Sequence, residues 1–342
     1  MGVYRRKDTG KWMIDVAIVM PDGSEKRVRR SSPVQTKRGA ETYERDVRVS
    51  LAAGTFEKQK AIPTLSEFKE EFIGNYARSN NKPSEVASKK VHLENHLIPR
   101  LGKKRLDQIG VREIEAFKAH QLSKAKLNPK TVNNQLTTLR KLLNTAEEWG
   151  LIEQVPRVKP LKTPPSDFDF LSFEEAPRLI EAAKPGLWRT MVTVALDTGL
   201  RIGELRALHW EDVDLRAKRL RIHRSMWKLE LGSTKSNRAR EIPLNQRSLA
   251  ALKAHRHLRG ELVFCGEDGS PLTEKAVQHG LRRACKIAGL RSVQWHALRH
   301  TFASHLVMRG QSLKSVQELL GHASITMTMV YAHLSPNVTR DA

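Results

Sequence analysis

The stretch "EQVPRVKPLKTPPSD", residues 153–167, constrains this chain more than any other, because it carries Pro156, Pro160, Pro164 and Pro165. Proline fixes φ and removes a backbone donor, so neither a helix nor a central strand runs through such a stretch. The chain must therefore fold as separate bodies on either side, joined by a stiffened connection. With 342 residues, 39% of them apolar, there is material for two or three domains that each bury a core. We expect domains over 1–56, 63–152 and 170–342, with 153–169 as the linker.

The pattern differs between the three parts. Near the start, Trp12, Ile14, Val16 and Ile18 alternate with Met13, Asp15 and Ala17, the period of two of a half-buried strand. "PDGS" at 21–24 signals a turn and "EKRVRR" the returning strand. From Thr36 to about Leu51 the pattern becomes helical, so residues 1–56 read as a small basic β-sheet with one packed helix. From Thr64 to about Gly150 the signal is helical throughout. "PTLSEF" sets Glu67 three residues after Thr64, the spacing of a capping box. In "TVNNQLTTLRKLLNTAEEWG", Val132, Leu136, Leu139 and Leu143 share one face and Gly150 supplies a stop. A helical bundle is expected. Beyond Phe170 come helices, then strands in "KRLRIHR", "MWKLEL" and "RAREIPL", then helices again. "GSTKSNR", between the last two strands, reads as a polar hairpin turn with Lys235 at its tip. The fold class is thus mainly α with small β-sheets, multidomain, with a mixed α+β third domain.

Charge narrows the partners. Sixty Lys and Arg against 37 Asp and Glu leave a formal charge of +23, an excess that calls for a polyanion. No apolar run is long enough to span a membrane, and no basic segment followed by an apolar one marks a secretion signal. Nucleic acid is the partner expected. Cys265 and Cys285 are too far apart for a CxxC pair and too few for a disulfide framework, which fits a reducing cytoplasm. The chain has neither GxxxxGK[ST] nor GxGxxG, so no nucleotide cofactor is expected. His296 and His300 stand at i, i+4 as in a zinc helix, but Ala297 occupies the place of the glutamate in HExxH. No metal is expected, and His300 and His305 read as structural helix residues.

Four short segments carry chemistry. In "ALDTGLRIGELRAL" an apolar helix breaks at Thr198 and Gly199, then restarts with Arg201 three residues ahead of Glu204. In "WHALRHTFASH" His296 and Arg299 share a helix face and can approach one anionic oxygen together. "LLGHASITMTMVYAHLS" places His322 beside Gly321 at a helix stop, and Tyr331 nine residues later on a helix that Ser324 can cap. Cleaving a phosphodiester without a metal needs cations and donors where charge grows on the non-bridging oxygens. It needs a nucleophile in line, for which a phenolate serves, and a proton for the departing hydroxyl. Tyrosine, two arginines, histidine and lysine supply that set.

Together "TGLRIGEL", "TKSNRAREIPL", "HALRHTFASHL" and "LLGHASITMTMVYAH", in this order, resemble the tyrosine recombinase, or phage integrase, family over about residues 170–335. The resemblance implies that Arg201 and Arg299 hold the scissile phosphate and that Glu204 buttresses Arg201. It implies that Lys235 protonates the 5′-hydroxyl, His296 assists proton movement, His322 hydrogen-bonds a phosphate oxygen and Tyr331 forms a 3′-phosphotyrosine link. Residues 64–150 resemble the family's core-binding domain in type, and the first 56 its arm-binding domain. Eleven residues follow Tyr331, where family members often carry a longer segment that docks on a neighbouring protomer. The implied protein is the integrase of a mobile element such as a prophage, working in the bacterial cytoplasm, associated with the nucleoid. It acts as a homotetramer on double-stranded DNA, at core and arm-type sites, with host DNA-bending and directionality factors as partners. A chromosome-dimer-resolving recombinase and a type IB topoisomerase are the alternatives.

Overall fold

The computed structural model describes residues 2–6, 10–19, 25–53, 62–164, 168–234 and 239–336. Two units emerge, Met1–Pro164 and Pro165–Ala342, so the division falls inside the proline-rich stretch.

The first unit opens with an antiparallel sheet of β1 (Val3–Arg5), β2 (Trp12–Val19) and β3 (Glu25–Ser31), β2 lying in the middle. Helix α1 (Lys37–Ala52) starts where the Thr36 hydroxyl accepts from the Gly39 amide. Ile14 and Val16 bury against Val47 and Leu51, one face of the strand against one stripe of the helix. β1 is too short for alternation to announce it. The opposite face of β2 is not simply solvated: Asp15 is buried, accepting from Arg27 Nε at 2.8 Å and from Arg29 Nε at 2.8 Å. Arg27, then Arg29, hold its carboxyl well below the usual carboxylate range. The "PDGS" turn lies outside the described residues.

The bundle follows, with α2 over 65–80, α3 over 83–101, α4 (Val111–Ser123) and α5 (Pro129–Glu148). Thr64 and Glu67 close the capping box that their spacing predicts. Val132, Leu136, Leu139 and Leu143 all lie in the bundle core, and Gly150 takes a left-handed φ of 70° just past α5. α2 and α3 each pass through a π-helical turn, Phe72–Ala77 and Leu93–Leu97, which periodicity does not reveal. The proline-rich stretch begins as part of this unit rather than as a free spacer. Val155, Val158 and Leu161, every third residue, pack against the bundle core. The Asn133 amide clamps Leu161 from both sides, donating to its carbonyl at 2.9 Å and accepting from its amide at 2.8 Å.

The second unit is built on α6 (Glu175–Ala182), α7 (Leu187–Thr198), the short α8 (Ile202–Arg206), α9 (Gln246–His255), α10 (Glu274–Ile287), α11 (Trp295–Met308) and α12 (Leu313–Leu320). Its strands are β4 (Val213–Asp214), β5 (Arg219–Ile222), β6 (Arg224–Trp227), β7 (Glu230–Ser233) and β8 (Arg240–Pro243). The expected hairpin between the last two strands is not what forms. β7 pairs back onto β6, the chain reversing at Lys228 with φ 54° inside "MWKLEL", while β8 pairs with β5, Leu220 opposite Ile242. Burial decides this: Leu220, Ile222 and Ile242 belong to the main core, whereas all of β7 is exposed. β7 and β8 thus belong to different sheets, and residues 235–238 between them, Lys235 included, lie outside the described residues. No helix among the described residues is long and apolar enough to cross a membrane.

Candidate active site

The break in "ALDTGLRIGELRAL" has a structural cause. α7 stops at Gly199, which takes φ 63°, and a Cβ there would stand 2.4 Å from a ring carbon of Phe302. Only glycine meets both demands. Two residues on, Arg201 caps α8, its backbone amide donating to Glu204 Oε2 at 3.0 Å and its Nη1 to Oε1 at 2.9 Å.

Glu204 is 2% exposed, and a carboxylate so placed needs more than one partner. Arg240, from β8, is the second: its Nη2 lies 2.7 Å from Oε2 and its Nη1 3.1 Å from Oε1. Burial pushes the Glu204 carboxyl up, but Arg240 and then Arg201 outweigh it and the net direction is down. Glu204 therefore stays ionised and fixes two guanidinium groups at once. Arg240 also donates to the Leu319 carbonyl at the end of α12, tying the sheet to the helix that carries the next residues.

Arg299, on α11, is 1% exposed, and its guanidinium donates to the Gly199 and Leu320 carbonyls at 2.8 and 2.7 Å. Both acceptors are neutral and sit at helix C-terminal ends, where carbonyl dipoles favour a cation. Burial, then the nearby charge of Arg201, pulls it down to about 9, so it stays protonated at neutral pH. α12 ends at Gly321 with φ 65°, and His322 follows, its Nδ1 2.9 Å from the Thr328 hydroxyl. Burial, then Arg299, Arg201 and Arg240, brings His322 down to about 4.

Tyr331 does not sit on the α-helix expected after Ser324. The chain makes two 3-10 turns instead, Ile325–Met327, which Ser324 caps, and Met329–Leu334. Tight turns without a continuous apolar stripe leave the side chain's direction to tertiary packing. Tyr331 is 2% exposed, with Phe168 edge-on at 4.9 Å and its hydroxyl 2.7 Å from His300 Nδ1. Burial pushes the phenol up to about 12, against the opposing pull of Arg299 and Arg201. His296 packs T-shaped on His300 with ring centroids 4.6 Å apart, and both line a cavity of about 370 Å³ with Phe168, Asp169, Gln294 and Val330. His305 lies elsewhere on α11, its Nε2 on the Leu171 carbonyl and its ring stacked on Phe173. The predicted residues Arg201, Glu204, His296, Arg299, His322 and Tyr331 thus fall within one unit.

Two family models match the chain, the phage integrase family over residues 169–337 and the phage integrase N-terminal SAM-like domain over 64–120, together more than half of it. The chain belongs to the phage integrase family. This integrase is 26% identical to the ICEBs1 integrase of Bacillus subtilis (strain 168), a match covering 98% of this chain and 97% of the relative. It is 32% identical to a tyrosine recombinase XerC of Xanthomonas campestris pv. campestris (strain B100), over 61% of this chain and 65% of the relative. Its fold is similar to that of a lambda integrase tetramer bound to a Holliday junction, with TM-score 0.64 and 20% identity, covering 98% of this chain and 95% of that one.

Two further residues to which the sequence alone assigns no role lie among the candidate site residues. Arg240 stood inside a quoted motif without a role, though an arginine at the start of a core strand is a signal in itself. His300 reads as structural from helix spacing, yet it touches the Tyr331 hydroxyl. Its proximity to the histidine and arginine of the same helix was the available clue.

Proposed function

We propose that this phage integrase family member is the site-specific recombinase of a mobile element, such as a prophage. It joins two duplexes through 3′-phosphotyrosine links and a Holliday junction. The observation that carries the reading is Arg299: a buried cation whose guanidinium donates to the Gly199 and Leu320 carbonyls, in the same unit as Arg201, His322 and a buried tyrosine. A buried charge is costly unless an opposite charge joins it, and a scissile phosphate supplies that charge.

In this reading Arg201 and Arg299 face the non-bridging oxygens as charge grows on them, and His322 donates to one of them. Tyr331 Oη attacks phosphorus, the bond to the 5′-oxygen breaks, and Lys235 gives that oxygen its proton while His296 assists proton movement. The phosphotyrosine bond conserves the energy of the broken linkage, so religation needs neither ATP nor a metal ion. Two duplexes carry four strands, which calls for four active sites and a homotetramer on the DNA. Residues 1–56 read arm-type sites, the basic β3 carrying Arg27 and Arg29, both paired with Asp15, on the sheet face away from α1. Residues 63–152 grip the core site, host bending and directionality factors assist, and the protein works in the bacterial cytoplasm on the nucleoid. The match to the ICEBs1 integrase, over 98% of this chain and 97% of the relative, supports this reading.

The test is a plasmid carrying the paired attachment sites of the chain's own element, incubated with the purified protein in EDTA without ATP. Recombinant circles are expected. Relaxed plasmid with no recombinants, on any plasmid, would point to a type IB topoisomerase instead.

A further inference from the structure

We propose that His300 is a catalytic residue, the group that takes the phenol proton of Tyr331 during cleavage and returns it during religation. The proposal rests on the recombinase reading above and adds a role to a residue that helix spacing alone marks as structural.

The geometry is direct. His300 Nδ1 lies 2.7 Å from the Tyr331 hydroxyl, the length of a strong hydrogen bond to a phenol. His300 makes that contact, and His296 packs T-shaped on the His300 ring with centroids 4.6 Å apart. The groups around His300 are His296 and Arg299 on its own helix, Asp169 from the segment ahead of α6, and Tyr331 with Phe168. Burial, then His296 and Arg299, brings His300 down to about 4, with Asp169 opposing, so the imidazole is neutral and free to accept. A phenol pushed up to about 12 is a poor nucleophile until its proton has somewhere to go.

The step balances. With the imidazole proton on Nε2, Nδ1 accepts the hydrogen of the phenol O–H as Oη forms its bond to phosphorus. The phosphorus to 5′-oxygen bond breaks, and the 5′-oxygen takes its proton from the general acid. Arrival of an anionic phosphate favours the imidazolium that results. In religation the 5′-hydroxyl gives its proton back to the group that served as general acid as its oxygen bonds to phosphorus, the bond from phosphorus to Oη breaks, and His300 returns its proton to the phenolate.

Single-turnover cleavage of a suicide duplex tests this with His300→Asn, which keeps an acceptor near Nδ1 but cannot hold the proton, and with His300→Ala. Each is paired with tyrosine or 3,5-difluorotyrosine at position 331, the latter a more acidic phenol. Core-site binding, measured by gel shift, should match wild type and shows that both variants are folded. Both should cleave about 10² to 10⁴ slower, the usual contribution of a positioned acid or base, and the fluorinated tyrosine should recover most of that loss. Wild-type rates in either variant overturn the proposal. Slow cleavage that the acidic phenol does not recover also overturns it, since His300 then merely positions the ring. Tyr331→Phe is the separate control: an adduct formed by that variant overturns the recombinase reading itself.

Discussion

Glu204 is the residue on which the cationic side of the site depends. Two arginines from different elements converge on a carboxylate that has almost no contact with water, so removing it leaves both guanidinium groups facing each other without an anion. Glu204→Ala should cost about 3 to 5 kcal/mol of stability, the range for breaking a buried pair, read from the denaturant midpoint. His300 and His322 give a second expectation at this scale. Unfolded, both titrate near 6.5, whereas folded they stay neutral down to about 4. Between those values the unfolded chain binds more protons, so stability is fully present above about pH 6.5 and falls as pH drops toward 4. Measured unfolding midpoints against pH should show this slope, and His322→Gln should flatten it. Arg201, Glu204, His296, Arg299, His322 and Tyr331 could be picked from the sequence because each stands in a short local pattern. Arg240 and His300 carry only weak local signals, because their partners lie 36 and 31 positions away and the folded chain brings them together.

Among the elements, the break between α7 and α8 sets the site's geometry. Gly199 has both a left-handed backbone and a ring of Phe302 against it, so Gly199→Ala should destabilise by about 1 kcal/mol for the backbone and a further 1 to 3 kcal/mol for overpacking. Thermal unfolding measures the sum. Because the Gly199 carbonyl also receives Arg299, the same change should slow cleavage in the fraction that remains folded. The helices were the legible part of the fold. Thr64 with Glu67, and the stripe from Val132 to Leu143, specify their elements by local spacing that packing then respects. The strands of the second unit were less legible, since "MWKLEL" hides a turn at Lys228 and β8 chooses its partner by burial with Leu220 rather than by adjacency. Around Tyr331 the capping residue Ser324 points to a helix, but the segment carries no apolar stripe to sustain one and forms 3-10 turns instead.

At the scale of the whole molecule, the excess of 23 positive charges is the property that any account must use. With about six phosphate contacts, log K for core-site binding should fall against log salt with a slope on the order of −5. A chain lacking residues 1–56 should still cleave a core site but lose integration between full sites, as scored with the paired-site plasmid. Equal integration by the truncated and full chains would remove the arm-binding role from the β1–β3 sheet. Covalent attack on DNA through one tyrosine is tested by trapping the intermediate. A suicide duplex bearing the junction of the chain's own element is incubated with the full protein in EDTA, digested, and the nucleotide-bearing peptide is identified by mass spectrometry. A 3′-phosphate ester on Tyr331 and no adduct from Tyr331→Phe are expected; an ester on any other residue, or an adduct that survives Tyr331→Phe, would rule out Tyr331 as the nucleophile.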